Sequence, residues 1–139
     1  MDESHPVIIR IRLEKCAEDL KVARLLLEEG AYRIAVSRAY YAIFMLTTAV
    51  LLSRDIVRSK HSGVLAAFIQ FFVKPGLIEP EYGQIFRRAF KARMDADYSD
   101  SAHFGEVEAR QAVEEAERFI RRMEAYLRDA GIFLDTQAD

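Results

Sequence analysis

The sequence predicts an all-α protein, an up-and-down bundle of four main helices plus one short helix. Three observations point there. Apolar residues recur at three- and four-residue spacing, the helical period, and no segment alternates with period two as a half-buried strand does. The chain holds 6 Gly and 3 Pro, too few for the turns of a many-stranded sandwich or barrel. Short connections between long helical segments favour antiparallel neighbours.

The first helix is expected from about Val7 to Glu29. Leu13, Cys16, Ala17, Leu20, Ala23 and Leu27 make one apolar face, and Gly30 ends it in the left-handed cap conformation. The second runs from about Ala31 to Ser53 and is apolar on nearly all sides through Ala39–Leu52. Such a helix must be covered on more than one side, and a second subunit is one source of cover. The loop Arg54–Ser62 is rich in charge and capping residues. The third, short helix covers about Gly63 to Val73, packs Val64, Leu65, Phe68, Ile69, Phe71 and Phe72, and stops at Lys74-Pro75-Gly76. Pro80 opens the fourth helix at its first turn, where a missing N–H costs nothing. That helix runs to about Tyr98, with Tyr82, Ile85, Phe86, Ala89 and Phe90 inward. Ser99–Phe104 reads as a turn. The fifth helix, Gly105 to Asp129, carries Ala109, Val113, Ala116, Ile120, Met123 and Leu127 on one stripe. Its glutamates lie early and its arginines late, an order that suits the helix dipole.

At 139 residues the chain can bury roughly two-thirds of its surface, enough for one core. A single domain over 1–139 is expected, with its core at about 7–129 and a frayed tail at 130–139. Hydrophobic residues make up 51% and charged residues 30%, a globular and not a disordered composition. The net charge of −2 marks no strongly cationic nucleic-acid binder but leaves room for a local basic site. One cysteine, Cys16, allows no internal disulfide and no site built on several thiolates. The N-terminal residues lack a signal-peptide pattern. The apolar run 39–52 is too short to span a bilayer and contains Thr47 and Thr48. No membrane association and a cytoplasmic location are therefore expected.

The fourth helix holds the candidate site. At about 100° per residue, Arg93 continues the stripe of Phe86, Ala89 and Phe90, whereas Arg87, Arg88 and Lys91 fall on the far side. Asp97 follows one turn later on the same face. An inward guanidinium needs a partner. Two readings stay open: an Arg93–Asp97 pair that closes the end of the bundle, or a receptor for a phosphate. The second helix offers Arg38, Tyr40 and Tyr41, as core residues or as surfaces on which a base stacks. Arg58-Ser59-Lys60-His61-Ser62 sets cations and hydroxyls before a helix N-terminus, as a solvated cap or as a phosphate site. The three histidines, His5, His61 and His103, show no metal-ligand spacing, and no phosphate-cradling Gly loop or nucleophile elbow occurs. No metal and no cofactor is expected.

Ser37-Arg38-Ala39-Tyr40-Tyr41-Ala42-Ile43-Phe44, Ser59-Lys60-His61-Ser62-Gly63 and Arg93-Met94-Asp95-Ala96-Asp97-Tyr98 together resemble the HEPN superfamily (higher eukaryotes and prokaryotes nucleotide-binding domain). Within it, the chain is similar to a small prokaryotic branch with an Arg-x-x-Ala-Asp-Tyr signature, over about Ala17 to Tyr126. The resemblance implies a homodimeric helical bundle that binds nucleotide or RNA beside a minimal nucleotidyltransferase encoded nearby, in a toxin–antitoxin-like pair. Family members that cut RNA without metal carry an arginine, then four to six intervening residues, then a histidine. Here that stretch, Asp97-Tyr98-Ser99-Asp100, has none. A binding module is therefore the leading expectation, with a metal-free ribonuclease and a structural adaptor dimer as alternatives. The resemblance makes Arg93, Asp97, Tyr98, Arg38, Tyr41, Lys60 and His61 the candidate nucleotide- or RNA-binding residues. Arg93 and Asp97 are the candidates if the chain is catalytic, and Tyr98 is the candidate acceptor of an AMP group.

Overall fold

A computed structural model describes residues 4–132. Among them it shows five α-helices and no strand: α1 His5–Glu28, α2 Tyr32–Leu52, α3 His61–Phe68, α4 Pro80–Tyr98 and α5 Glu106–Asp129. The all-α bundle is as expected. The segment 133–139, most of the tail expected to fray, lies outside the described residues.

Local chemistry sets the ends. Gly30 takes φ +79°, and the Ala31 N–H returns 2.9 Å to the Leu26 carbonyl, so α1 turns sharply into α2. Pro80 occupies the first turn of α4. The Gly105 N–H donates to the Glu108 carboxylate at 2.9 Å, which caps α5. The third helix departs from expectation. It starts two residues earlier, at His61, and widens into a π turn over Ile69–Val73, where the Lys74 N–H donates to the Ile69 carbonyl. The wide turn lets the chain swing round so that Leu77 and Ile78 both donate to the Phe72 carbonyl. Gly83 sits against it: a Cβ there would stand 2.6 Å from Ile69 Cδ1.

Helix α2 is the axis of the bundle. Thirteen of its 21 residues are buried, and α1, α3, α4 and α5 all pack on it. The cover that its all-round apolarity demands thus comes largely from within the chain. By length and composition alone, α2 could cross a membrane, unlike the run 39–52; two-thirds of its most apolar window (mean hydropathy 1.5) is buried in the bundle. Phe68, Phe72, Phe86 and Phe119 fill the core between α3, α4 and α5, with the Phe68 and Phe119 rings 5.6 Å apart. Full burial of such a side chain contributes about 1.5–3 kcal/mol. On α1 the buried face is Ile9, Cys16, Leu20 and Ala23; Ala17, expected inward, is exposed because it stands one residue off that stripe. On α5 the whole predicted stripe is buried, with Phe119 added.

Candidate functional site

The last turns of α4, the first half of α2 and the start of α3 meet at one place. Arg93 points into it with a side chain only 16% exposed. Its Nη2 donates to the Tyr41 hydroxyl at 2.8 Å, and its Nε lies 2.9 Å from Asp97 Oδ2. The Nε–H does not point along that ion pair. The guanidinium carbon stands 5.9, 5.4 and 5.7 Å from the ring centres of Tyr40, Tyr41 and Tyr98. Burial works against the charge, but the Tyr41 hydroxyl and the Asp97 carboxylate outweigh it and hold the Arg93 pKa above its ordinary value.

The pair read as structural is therefore present, yet it does not exhaust the arginine. A guanidinium carries five N–H donors. Among the described residues, one of these is committed to an aligned oxygen, and Nη1 meets no more than the Met94 sulfur at 3.7 Å. The Tyr41 hydroxyl accepts from Arg93 and keeps its own proton to donate. Asp97 is held from the other side, where Ser37 donates to Oδ1 at 3.2 Å. Ser37, outside the predicted set, shares the face of Tyr41 one turn away, and that spacing was the signal for it.

His61 joins the same cluster, although its loop is more than thirty residues from Arg93 in the chain. Its Nδ1 is 2.7 Å from the Tyr40 hydroxyl, and its ring stacks on Phe44 at 4.0 Å and 7°. The Tyr41 ring meets it edge-on at 6.2 Å. Burial and then the Arg93 charge push the His61 pKa down. Burial pushes the Tyr40 phenol up, so it keeps its proton. Tyr40, read from the sequence as core or as a stacking surface, is thus core by its ring and joins the site through its hydroxyl. Arg54, seven positions before His61 in the chain, turns away from the site, donates to the Phe71 carbonyl and stands over the Phe72 ring.

The remaining candidates lie at the margin. Arg38 pairs with Asp19 at 3.4 Å and stands over the outer part of the site, 5.6 Å from the Tyr41 ring centre. Lys60 is exposed at the N-cap position of α3, next to His61. Tyr98 is 69% exposed, and Met94 and Ile34 are exposed as well. A cavity of about 300 Å³ lies elsewhere, between α2, α4 and α5, lined by Val36, Ala39, Ile43, Ala89, Ala92 and Ala112; neither Arg93 nor His61 reaches it. No group of three metal-ligating side chains occurs among the described residues.

The HEPN domain model matches residues 9–126. The chain belongs to the HEPN domain family. A UPF0332 protein of Thermotoga maritima is 37% identical over 131 residues, 93% of this chain and 97% of that one. A Methanocaldococcus jannaschii protein named putative toxin MJ0605 is 39% identical over 121 residues, 87% of this chain and 90% of that one. Among solved structures, TT1696 from Thermus thermophilus superposes with a TM-score of 0.75 at 21% identity, over 86% of this chain and 98% of that one. That likeness shows a shared all-α fold.

Proposed function

We propose that this HEPN chain is a nucleotide- or RNA-binding module that works as a homodimer with a minimal nucleotidyltransferase in a toxin–antitoxin-like pair. The single observation that carries the reading is Arg93: a charged, inward guanidinium with uncommitted donors, framed by Tyr41, Tyr98 and His61. A phosphate accepts from such a fork, and a base stacks on such rings. Relatives named putative toxin support the toxin side of that reading. Exposed Ile34, Met94 and Tyr98 around the site support a dimer face there, and the exposed Tyr98 hydroxyl suits an AMP acceptor. The chain works in the cytoplasm on this reading. Titration of ATP, AMP and short RNA against the wild type and Arg93→Ala tests it: binding lost in the variant is the expected result, and equal binding or none by both would refute it. Sedimentation of a clean 16 kDa species would refute the dimer.

A second reading, a metal-free ribonuclease, is favoured by one observation, the arrival of His61 beside Arg93. It needs that ring to exchange protons. Expression of the chain alone, with growth arrest abolished by Arg93→Ala, is its test. A harmless protein would count against it.

A further inference from the structure

We propose that Tyr40 locks His61 as a neutral N–H donor beside Arg93, so that the site takes a singly charged phosphodiester in preference to a terminal phosphate dianion. The ligand half of this inference rests on the nucleotide-binding reading; the Tyr40–His61 half stands without it.

The argument begins with a satisfiability question. The Tyr40 side chain is fully buried, and a buried hydroxyl must donate to something. Among the described residues, the acceptor in reach is His61 Nδ1 at 2.7 Å. If the phenol donates there, Nδ1 carries the ring's lone pair and Nε2 carries the proton. Stacking on Phe44 fixes the ring plane. Nε2 meets no hydrogen-bonding group among the described residues and is not buried, so its N–H faces solvent at the site.

Protonation of the ring would cost on three counts. It would turn Nδ1 into a donor facing a phenol that has no other acceptor among the described residues. It would place a second cation near Arg93. It would charge a ring that is partly desolvated. The groups that face His61 are Tyr40 and Tyr41 from α2 and Arg93, backed by Asp97, from α4; Lys60 and Arg58 precede it in the loop. None of these is an anion in contact with the ring. The depressed His61 pKa agrees in direction.

The consequence is a choice of ligand. Arg93 supplies one full charge, already partly offset by Asp97 at 2.9 Å. Tyr41 and His61 add neutral donors. One negative charge with two free oxygens, as on an internal phosphodiester, matches that set; the other cations nearby, Arg38 and Lys60, stand at the margin, with Arg38 already paired to Asp19 at 3.4 Å, so a dianion's second charge is met less closely. The same lock occupies the Nδ1 lone pair and leaves Nε2 protonated, so His61 holds a phosphate and does not serve as the base that an attacking hydroxyl would need.

Two measurements on the full chain decide the matter. Nitrogen-15 NMR of the His61 ring at pH 7.5, without ligand, is expected to show an acceptor-type Nδ1 and a protonated Nε2. Tyr40→Phe, which keeps the ring, is expected to mix the tautomers and raise the His61 pKa. A protonated Nδ1 in the wild type would overturn the lock. AMP and its methyl ester, which share a nucleoside and differ in phosphate charge, are then titrated at pH 8. The methyl ester is expected to bind more tightly, and His61→Ala to weaken it about ten-fold, the loss of one hydrogen bond to a charged group. Tighter binding of AMP would overturn the ligand choice. If neither ligand binds and Arg93→Ala changes nothing, the ligand choice falls together with the nucleotide-binding reading, while the tautomer still judges the lock.

Discussion

Asp97→Ala tests how much of the site is held by its own charges. The substitution removes the carboxylate 2.9 Å from Arg93 Nε and the acceptor 3.2 Å from the Ser37 hydroxyl. Exposed ion pairs contribute about 0–1 kcal/mol, and removing one partner of a fully buried pair costs about 3–5 kcal/mol. With side chains 16% and 25% exposed, this pair stands between those limits. Arg93 also keeps Tyr41 and three aromatic rings, which soften the loss. The expected cost is about 2 kcal/mol, a fall in Tm of roughly 6 °C for a domain of this size. Urea denaturation of the wild type, both single variants and the Arg93→Ala/Asp97→Ala double variant closes a double-mutant cycle. A coupling of about 1–1.5 kcal/mol is the expected result. Coupling below about 0.3 kcal/mol would mean that water screens the pair, and the picture of an inward, charge-clamped arginine would be wrong.

Other consequences follow from packing and titration. Gly83→Ala places a methyl 2.6 Å from Ile69 Cδ1, the free end of a side chain that must turn aside; about 1–3 kcal/mol of overpacking is set against about 1 kcal/mol of helix propensity gained in α4, so a net loss of up to about 2 kcal/mol is expected in a melting experiment. Burial raises the Glu124 pKa in the fold, so its charge opposes folding at neutral pH. Stability tied to that group is present below its unfolded pKa and lost as pH rises through the folded one. Glu124→Gln is therefore expected to raise Tm at pH 7, with the gain shrinking as pH falls toward 4, and a pH series of melts reads it. His61 has the opposite sign. Its depressed pKa gives stability that is present above pH 6.5 and lost below it, and His61→Gln is expected to flatten that decline. Cys16 is buried, and burial raises its thiol pKa further from neutrality. The native protein is expected to resist thiol reagents that label the urea-unfolded chain rapidly.

Much of the fold was legible because helix periodicity is local. The α5 stripe could be read from spacing, and Gly30 and Pro80 marked ends that chemistry dictates. The π turn was not legible: it shows as the Lys74 N–H bonding to the Ile69 carbonyl, with Gly83 of α4 packed against it, and side-chain periodicity encodes neither. At the site, Arg93 and Asp97 could be placed together because both lie on one helix face. Tyr41 and Ser37 meet them only because α2 packs on α4, and no periodicity encodes that register. His61 and Tyr40 were both legible as candidates, His61 for phosphate and Tyr40 as core or a stacking surface, but not as partners, because the start of α3 meets α2 only in the folded chain. The hydroxyl contact between those two is tertiary information.

The central claim is that the uncommitted edge of one guanidinium receives a phosphate. Nitrogen-15 NMR of arginine side chains during titration with a short RNA tests it at the atom concerned. The Arg93 Nη signals are expected to shift and saturate with the binding curve, and to be the first arginine signals to do so. Arg93 signals that stay in place while RNA binds elsewhere, or that never respond at saturating RNA, would contradict the account.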